Sequence, residues 1–276
     1  MKNIIIPVDF SIYSEYALKV AAKLAKNHGA SLTLIHMLEL PSGYSNHDSS
    51  YTKTLVFMIK FAEKKMEEFL QKSYMEGLEI TVIIKHFTLF SEIGEIAEQN
   101  NSSLIVMGSH GKDYHSDSYL GSNTEKVVKN SKIPVIIIKQ ELDVVEFKNT
   151  VYVSDFKSDS IDAYKKAKTF FDLINVQPKL LFVNIPGGGF VSTKEMRQRF
   201  RTFLMEAEGN LDNLDNFANY DDYNIVDGVN NFVEENDISL ISVATHGRSN
   251  ISKFFNNSAS IDLANKTILP VLTVLI

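Results

Sequence analysis

The stretch MGSHGKDYHSDSYLGSNTEKVV, Met107 to Val128, carries the residue types most able to do chemistry in this chain. Gly108 is followed after two residues by Gly111, and after nine more by Gly121, with Ser122 and Asn123 directly behind. A residue without a Cβ can turn tightly and lets main chain approach a ligand. Ser103 to Val106 ahead of the stretch reads as a buried strand, and Val127 and Val128 behind it belong to a helical pattern. A helix opening at Gly121-Ser122 would aim its first N–H groups and its positive dipole end at an anion. Strand, glycine loop and helix N-terminus in that order predict a phosphate cradle. The spacing is neither GxxxxGK[ST] nor GxGxxG, so the two best-known cradles are excluded. Lys112 and Lys126 read either as cations near that phosphate or as solvated surface lysines.

Other candidate groups are fewer. Asp9 closes the run Pro7-Val8-Asp9 and could accept hydrogen bonds from hydroxyls or an amine, or simply cap the turn at a strand end. Met37, after His36, and Met107 end apolar strands, where a thioether suits either an aromatic ligand ring or ordinary core packing. His110 sits inside the glycine loop, but no serine, cysteine or carboxylate is placed by sequence as its partner, so a catalytic triad is unsupported. His115 adds nothing clearer. The seven histidines show no HExxH or comparable spacing, and cysteine is absent, so no metal site built from protein alone is indicated.

These groups need elements to hold them. Lys2 to Val8 reads as an apolar strand. Ser11 caps a helix with Ala17, Val20, Ala21 and Leu24 on one face, which Gly29 stops. Ser31 to Leu38 is a second strand and Pro41 to Ser50 a polar loop. A long helix follows with Leu55, Met58, Ile59, Ala62, Met66, Phe69 and Leu70 in its stripe. Glu79 to Phe87 is a third strand, Ser91 to Asn100 a short helix, Ser103 to Met107 a fourth strand, and Pro134 to Lys139 a fifth. Alternation of this kind predicts a parallel sheet built from βαβ units.

The pattern then restarts. Val151 to Phe156 echoes Ile5 to Phe10, Asp155 standing 146 positions after Asp9, and Thr245-His246-Gly247-Arg248 echoes Ser109-His110-Gly111-Lys112 at a spacing of 136. Pro270-Val271 repeats Pro134-Val135 at the second spacing. Two tandem copies are predicted, 1–140 and 149–276, joined by a charged segment from Gln140 to Lys148. The second copy is degenerate: Ala244 replaces Gly108, Asn257 replaces Gly121, and Val153 replaces Pro7, while Asp155, Gly247 and Ser258 remain. A methyl at Ala244 is expected to spoil that site. Pro186 to Gly189 reads as a flexible loop ahead of a helix from Thr193 to Phe203.

Gly108, Gly111, Gly121 and Ser122 match the G-2x-G-9x-G(S/T) signature, and with the repeat they make the whole chain resemble two tandem universal stress protein domains of the ATP-binding branch. The resemblance implies an α/β fold of two flavodoxin-like or Rossmann-like domains (adenine nucleotide alpha hydrolase-like), each a five-stranded parallel sheet ordered 3-2-1-4-5. Ligands then sit at the switch point between the first and fourth strands, where Asp9 and Gly108 would meet. It implies a regulatory role in stress response with ATP, or ADP or AMP, in the first domain. Pro7, Val8 and Asp9 would lie by adenine and ribose and Met37 and Met107 by the base. Gly108, His110 and Gly111 would line the loop, and Gly121, Ser122 and Asn123 would hold the phosphates, with Mg²⁺ carried in by the triphosphate. No positioned base or arginine finger points to more than slow hydrolysis. The two domains are expected to dock across their fifth strands as a pseudo-dimer, with a homodimer and an unknown protein partner left open. The alternative from another class is a scaffold that binds protein and no nucleotide. An adenylate-forming or pyrophosphatase enzyme ranks last, since neither HxGH nor an SGGxDS-type loop is present.

Composition narrows the field further. A net charge of −6 and pI near 5.7 argue against a nucleic-acid partner, because phosphate backbones are held by clustered Lys and Arg. No run approaches membrane-spanning length, and the N-terminal apolar run is too short for a signal peptide, so a cytoplasmic location is expected.

Overall fold

All five residues of β1 (Asn3–Pro7) are buried, with Ile4 and Ile6 facing one helical layer and Ile5 the other. That two-sided burial is why the strand reads as an unbroken apolar run. The computed structural model describes residues 1–38, 49–86, 89–110, 120–245 and 257–276. After β1 come α1 (Ile12–His28), β2 (Ser31–Leu38), α2 (Ser49–Leu70), β3 (Ile80–His86), α3 (Ile93–Gln99), β4 (Leu104–Gly108), α4 (Ser122–Asn130) and β5 (Val135–Ile138). The second half repeats the series as β6 (Thr150–Val153), α5 (Ile161–Leu173), β7 (Lys179–Asn184), α6 (Thr193–Glu208), β8 (Phe217–Asp221), α7 (Ile225–Glu235), β9 (Leu240–Thr245), α8 (Asn257–Lys266) and β10 (Val271–Leu275).

The strands form one ten-stranded sheet ordered β3-β2-β1-β4-β5-β10-β9-β6-β7-β8. Each half therefore has the expected 3-2-1-4-5 order, and every pairing is parallel except the central one. There β5 meets β10 antiparallel, with Ile137 opposite Val271 and Val135 opposite Thr273. The fifth strands, which alone would present apolar edges, cover one another. Helices α1, α2, α5 and α6 pack on one face of the sheet, and α3, α4, α7 and α8 on the other.

Local chemistry sets the helix ends. Ser11 Oγ accepts from Ser14 N at 3.2 Å to open α1, and Gly29 closes it in the left-handed region at φ 62°, where glycine costs least. A reciprocal pair, Ser192 and Glu195, opens α6, which runs on to Glu208 rather than stopping at Phe203. Several boundaries shift from the sequence expectation. The helix of the first half starts at Ser49, inside the stretch read as loop. The short helix is preceded by a 3-10 turn at Phe90–Glu92. Gly187–Gly189, read as flexible, forms a 3-10 turn closed by Phe190 N donating to Gly187 O at 3.1 Å. The segment joining the halves is pinned as well as charged: Val145 and Phe147 are buried in the core, and Lys19 pairs with Glu141 at 2.6 Å.

Candidate functional site

A cleft of about 550 Å³ opens where the strand order reverses, between the C-terminal ends of β1 and β4. Its floor is Pro7, Val8, Asp9 and Phe10 from β1 and the turn behind it. Met37 and His36 come from β2, Met107, Gly108 and His110 from β4 and its extension, and Gly121, Ser122 and Asn123 from the start of α4. Ten of the eleven residues expected at the site thus line one cavity; Gly111 lies outside the described residues, as do Lys112, His115, His246, Gly247 and Arg248. Asp9 and Gly108, far apart in sequence, line the same cavity.

The turn after β1 is built by Asp9. Its Oδ1 accepts from Ser11 N at 2.9 Å, so the carboxylate does serve the turn, and Phe10 between them sits at φ 63°. A phenylalanine in the left-handed region is held there only by its surroundings: Phe10 packs on His36, centroids 4.6 Å apart, and on Phe69 of α2 at 5.7 Å. His36 in turn donates from Nδ1 to Val8 O at 2.6 Å, since a carbonyl can only accept. This fixes the tautomer and ties the ends of β1 and β2 together.

Across the cleft, Thr124 Oγ1 donates to Gly108 O at 3.1 Å and Ser109 O at 3.2 Å, and Gly121 N donates to Ser109 O at 2.8 Å. These bonds clamp the first turn of α4 against the end of β4. Gly121 has φ −59°, open to any residue, so backbone freedom is not what the position uses. Gly108 is required for a different reason from the one read in sequence. A Cβ there would lie 2.7 Å from the carbonyl carbon of Tyr13 and 2.9 Å from its oxygen. The glycine admits the backbone of α1, not only a ligand.

His110 does have a partner: Ser109 Oγ stands 2.7 Å from its Nδ1, and the ring packs on Tyr13 at 5.1 Å. Ser109 is fully buried and absent from the cleft lining, so the pair braces the loop rather than presenting a nucleophile. Met107 is core and lining at once, 4% exposed, and Met37 is half-buried beside it. Lys126 does not line the cleft; it is exposed and donates to Asn123 Oδ1 at 3.3 Å.

The third wall was missed by sequence. Phe57, Phe61 and Lys65 of α2 face the cavity, with Phe57 and Phe61 stacked at 6.3 Å and the Lys65 ammonium 4.9 Å from the Phe61 ring centre. Four-residue spacing puts the three in one stripe, distinct from the buried stripe of Ala62 and Met66. Two phenylalanines off the core stripe were the available signal.

Among the described residues of the second half, the matching crevice holds a pocket of about 20 Å³ beside Ser154, Asp155 and Phe182. The turn itself is conserved in shape, with Asp155 Oδ1 accepting from Lys157 N at 3.3 Å and Phe156 at φ 51°. But Asp155 Oδ2 pairs with Lys157 Nζ at 2.9 Å, and Phe156 is buried under Phe200 and Phe203 of α6, at 4.9 and 5.2 Å. Aromatic packing therefore occupies this part of the second half's crevice. The first turn here is also different: a 3-10 turn at Ser158–Ser160 precedes α5, where the first half starts α1 directly.

The universal stress protein family model matches residues 1–139. Over 155 residues the chain is 28% identical to universal stress protein MJ0577 of Methanocaldococcus jannaschii, covering 51% of this chain and 96% of the relative. A universal stress protein structure from Archaeoglobus fulgidus superposes over 99% of this chain and 98% of its own with a TM-score of 0.74 at 22% identity. A putative universal stress protein from Pseudomonas aeruginosa does so over 100% and 93% with a TM-score of 0.56 at 14% identity. At such identities the two structures speak to fold alone.

Proposed function

The chain belongs to the universal stress protein family, and from that premise we propose that the cleft of its first half binds ATP or a related adenine nucleotide, ADP or AMP. Family membership supports a stress-response role. What carries the nucleotide reading is the meeting, in one cavity, of the α4 N-terminus with its small Gly121 and of Asp9 on the opposite wall. A volume of 550 Å³ falls in the roughly 300–1,000 Å³ typical of small-molecule sites. The first amides of α4 with Ser122 and Asn123 supply donors for phosphates, aided by the helix dipole. Pro7, Val8, Met37 and Met107 offer an apolar bed for the base, with Asp9 an acceptor for ribose. Gly108, His110 and Gly111 complete the loop between.

The residues fit a nucleotide, and a Mg²⁺ would enter on its phosphates. Lys65 is the cation that the described lining supplies, and all four arginines, Arg197, Arg199, Arg201 and Arg248, belong to the second half. A holding role with at most slow hydrolysis follows, because rapid phosphoryl transfer needs positioned cations and a positioned base. The small pocket described in the second half, with Asp155 paired to Lys157, favours a different use there, as structural support or as a protein-binding surface.

The test is to denature purified protein, look for released adenine nucleotide, and titrate ATP by calorimetry. Binding at one site per chain, lost in Gly121→Val with the fold retained by circular dichroism, is the expected result. Absence of both released nucleotide and binding heat would overturn the reading in favour of a protein scaffold.

A further inference from the structure

The end of α8 reaches across the central seam and holds the loop that opens α4. Asn265, in the last turn of α8, accepts through Oδ1 from Leu120 N at 2.6 Å. Leu120 is buried, 5% exposed, and immediately precedes Gly121, the N-cap of α4. Asn265 is itself fixed from the first half. Lys139, directly after β5, donates from Nζ to Asn265 O at 3.0 Å and to Thr267 O. A cation on the last carbonyls of a helix satisfies acceptors that would otherwise lack partners and complements the dipole. The chain of contacts runs from β5 through Lys139 to the end of α8, then through Asn265 back to the backbone beside Gly121.

Among the described residues the arrangement runs in one direction. At the repeat spacing of 136, Lys139 corresponds to Leu275 and Asn265 to Lys129. Leu275 cannot donate, and Lys129 pairs within α4 with Glu125 at 3.0 Å. Two-fold symmetry between the halves would have produced both contacts twice. Among the described residues both contacts stand beside the first half's open cleft.

We infer that Asn265 is a positioning residue by which the second half sets the anion-binding end of the first half's cleft, so that α8 and nucleotide occupancy are coupled. The inference rests on the nucleotide reading above. A buried amide held at 2.6 Å fixes the approach to Gly121, and a ligand at the α4 N-terminus finds those amides already ordered rather than having to order them. By reciprocity, whatever displaces α8 weakens the nucleotide, and the nucleotide steadies α8.

The test uses the full chain with Asn265→Ala and Asn265→Asp, the second keeping an acceptor oxygen. Hydrogen exchange at the Leu120 amide, followed without nucleotide, is expected to accelerate about tenfold in Asn265→Ala and to return toward wild type in Asn265→Asp. ATP affinity by calorimetry is expected to fall about tenfold and to recover in the same order, with little change in melting temperature. A merely structural asparagine would lower stability without this matched recovery. Unchanged exchange in Asn265→Ala would overturn the tether, and faster exchange with unchanged affinity would overturn its control of the cleft. Wild-type protein that takes up no ATP would instead sink the nucleotide reading and the coupling with it, while the exchange arm still reports on the tether.

Discussion

Gly108→Ala puts the closest approach in the first half to the test. The added methyl carbon would lie 2.7 Å from Tyr13 C, 2.8 Å from Tyr13 Cβ and 2.9 Å from Tyr13 O. Carbon atoms rest at about 3.5–4.0 Å, so the start of α1 has to retreat by about 0.7–1.3 Å. Two of the three atoms are backbone and cannot swing aside as a flexible side-chain tip would. Overpacking of this kind costs about 1–3 kcal/mol, and at about 2 kcal/mol a chain of this size would melt about 3–4 °C lower. The retreat would also drag on the turn that Asp9 builds with Ser11, so ATP affinity should fall together with stability. Differential scanning calorimetry and ATP titration read the two effects. Ala244→Gly at the matching place in the second half is the control: it relieves no clash, and glycine in a strand costs about 0.5–1 kcal/mol. A Gly108→Ala protein melting within about 1 °C of wild type would refute the reasoning, because the helix would then have slack that the geometry denies.

Phe156→Ala removes a buried ring packed on Phe200, Phe203 and Phe217 and should cost about 3–5 kcal/mol in denaturant unfolding; a loss below about 1 kcal/mol would show that the filling of the second crevice is loose. Alkaline pH should act through buried groups. Burial pushes the Tyr152 and Tyr164 phenols well above their usual range, and burial with Glu15 and Glu141 nearby pushes Tyr74 up to about 12. Folded values above the unfolded value of 10.0 mean stability that is complete below that pH and lost as pH rises through the folded values. Lys139 works the other way. Burial lowers it to about 8 from 10.5, so the cost of burying its charge is present below about 8 and relieved between those values. Denaturant midpoints should therefore hold or rise from about pH 8 to about pH 10 and fall beyond; a steady decline across the first interval would contradict the burial of Lys139.

Much of the frame was legible because it rests on local pattern. Apolar runs such as Ile4-Ile5-Ile6, the capping Ser11 and the αL Gly29 announce their own geometry, and the repeat doubled every strand assignment. Strand order and the β5–β10 pairing came from the family resemblance rather than from any residue spacing. The α2 wall was hidden because Phe57 and Phe61 lie off the buried stripe and look like a helix's outer face. Gly108 was assigned to a ligand when its nearest neighbour is Tyr13, a contact between residues almost a hundred positions apart. The aromatic packing of the second half went unread because Phe156, Phe200 and Phe203 come together only after α6 settles on the sheet. Side-chain convergence across elements leaves no trace in periodicity.

The antiparallel β5–β10 seam joins two parts of a single polypeptide. Its closure is therefore unimolecular, insensitive to dilution in a way that a pairing of separate chains is not. With a partner guaranteed, neither lobe must remain self-complementary. One lobe could give up its cavity and acquire Asn265 while the other kept its opening and Lys139, a division of labour that identical subunits sharing one sequence are unable to encode.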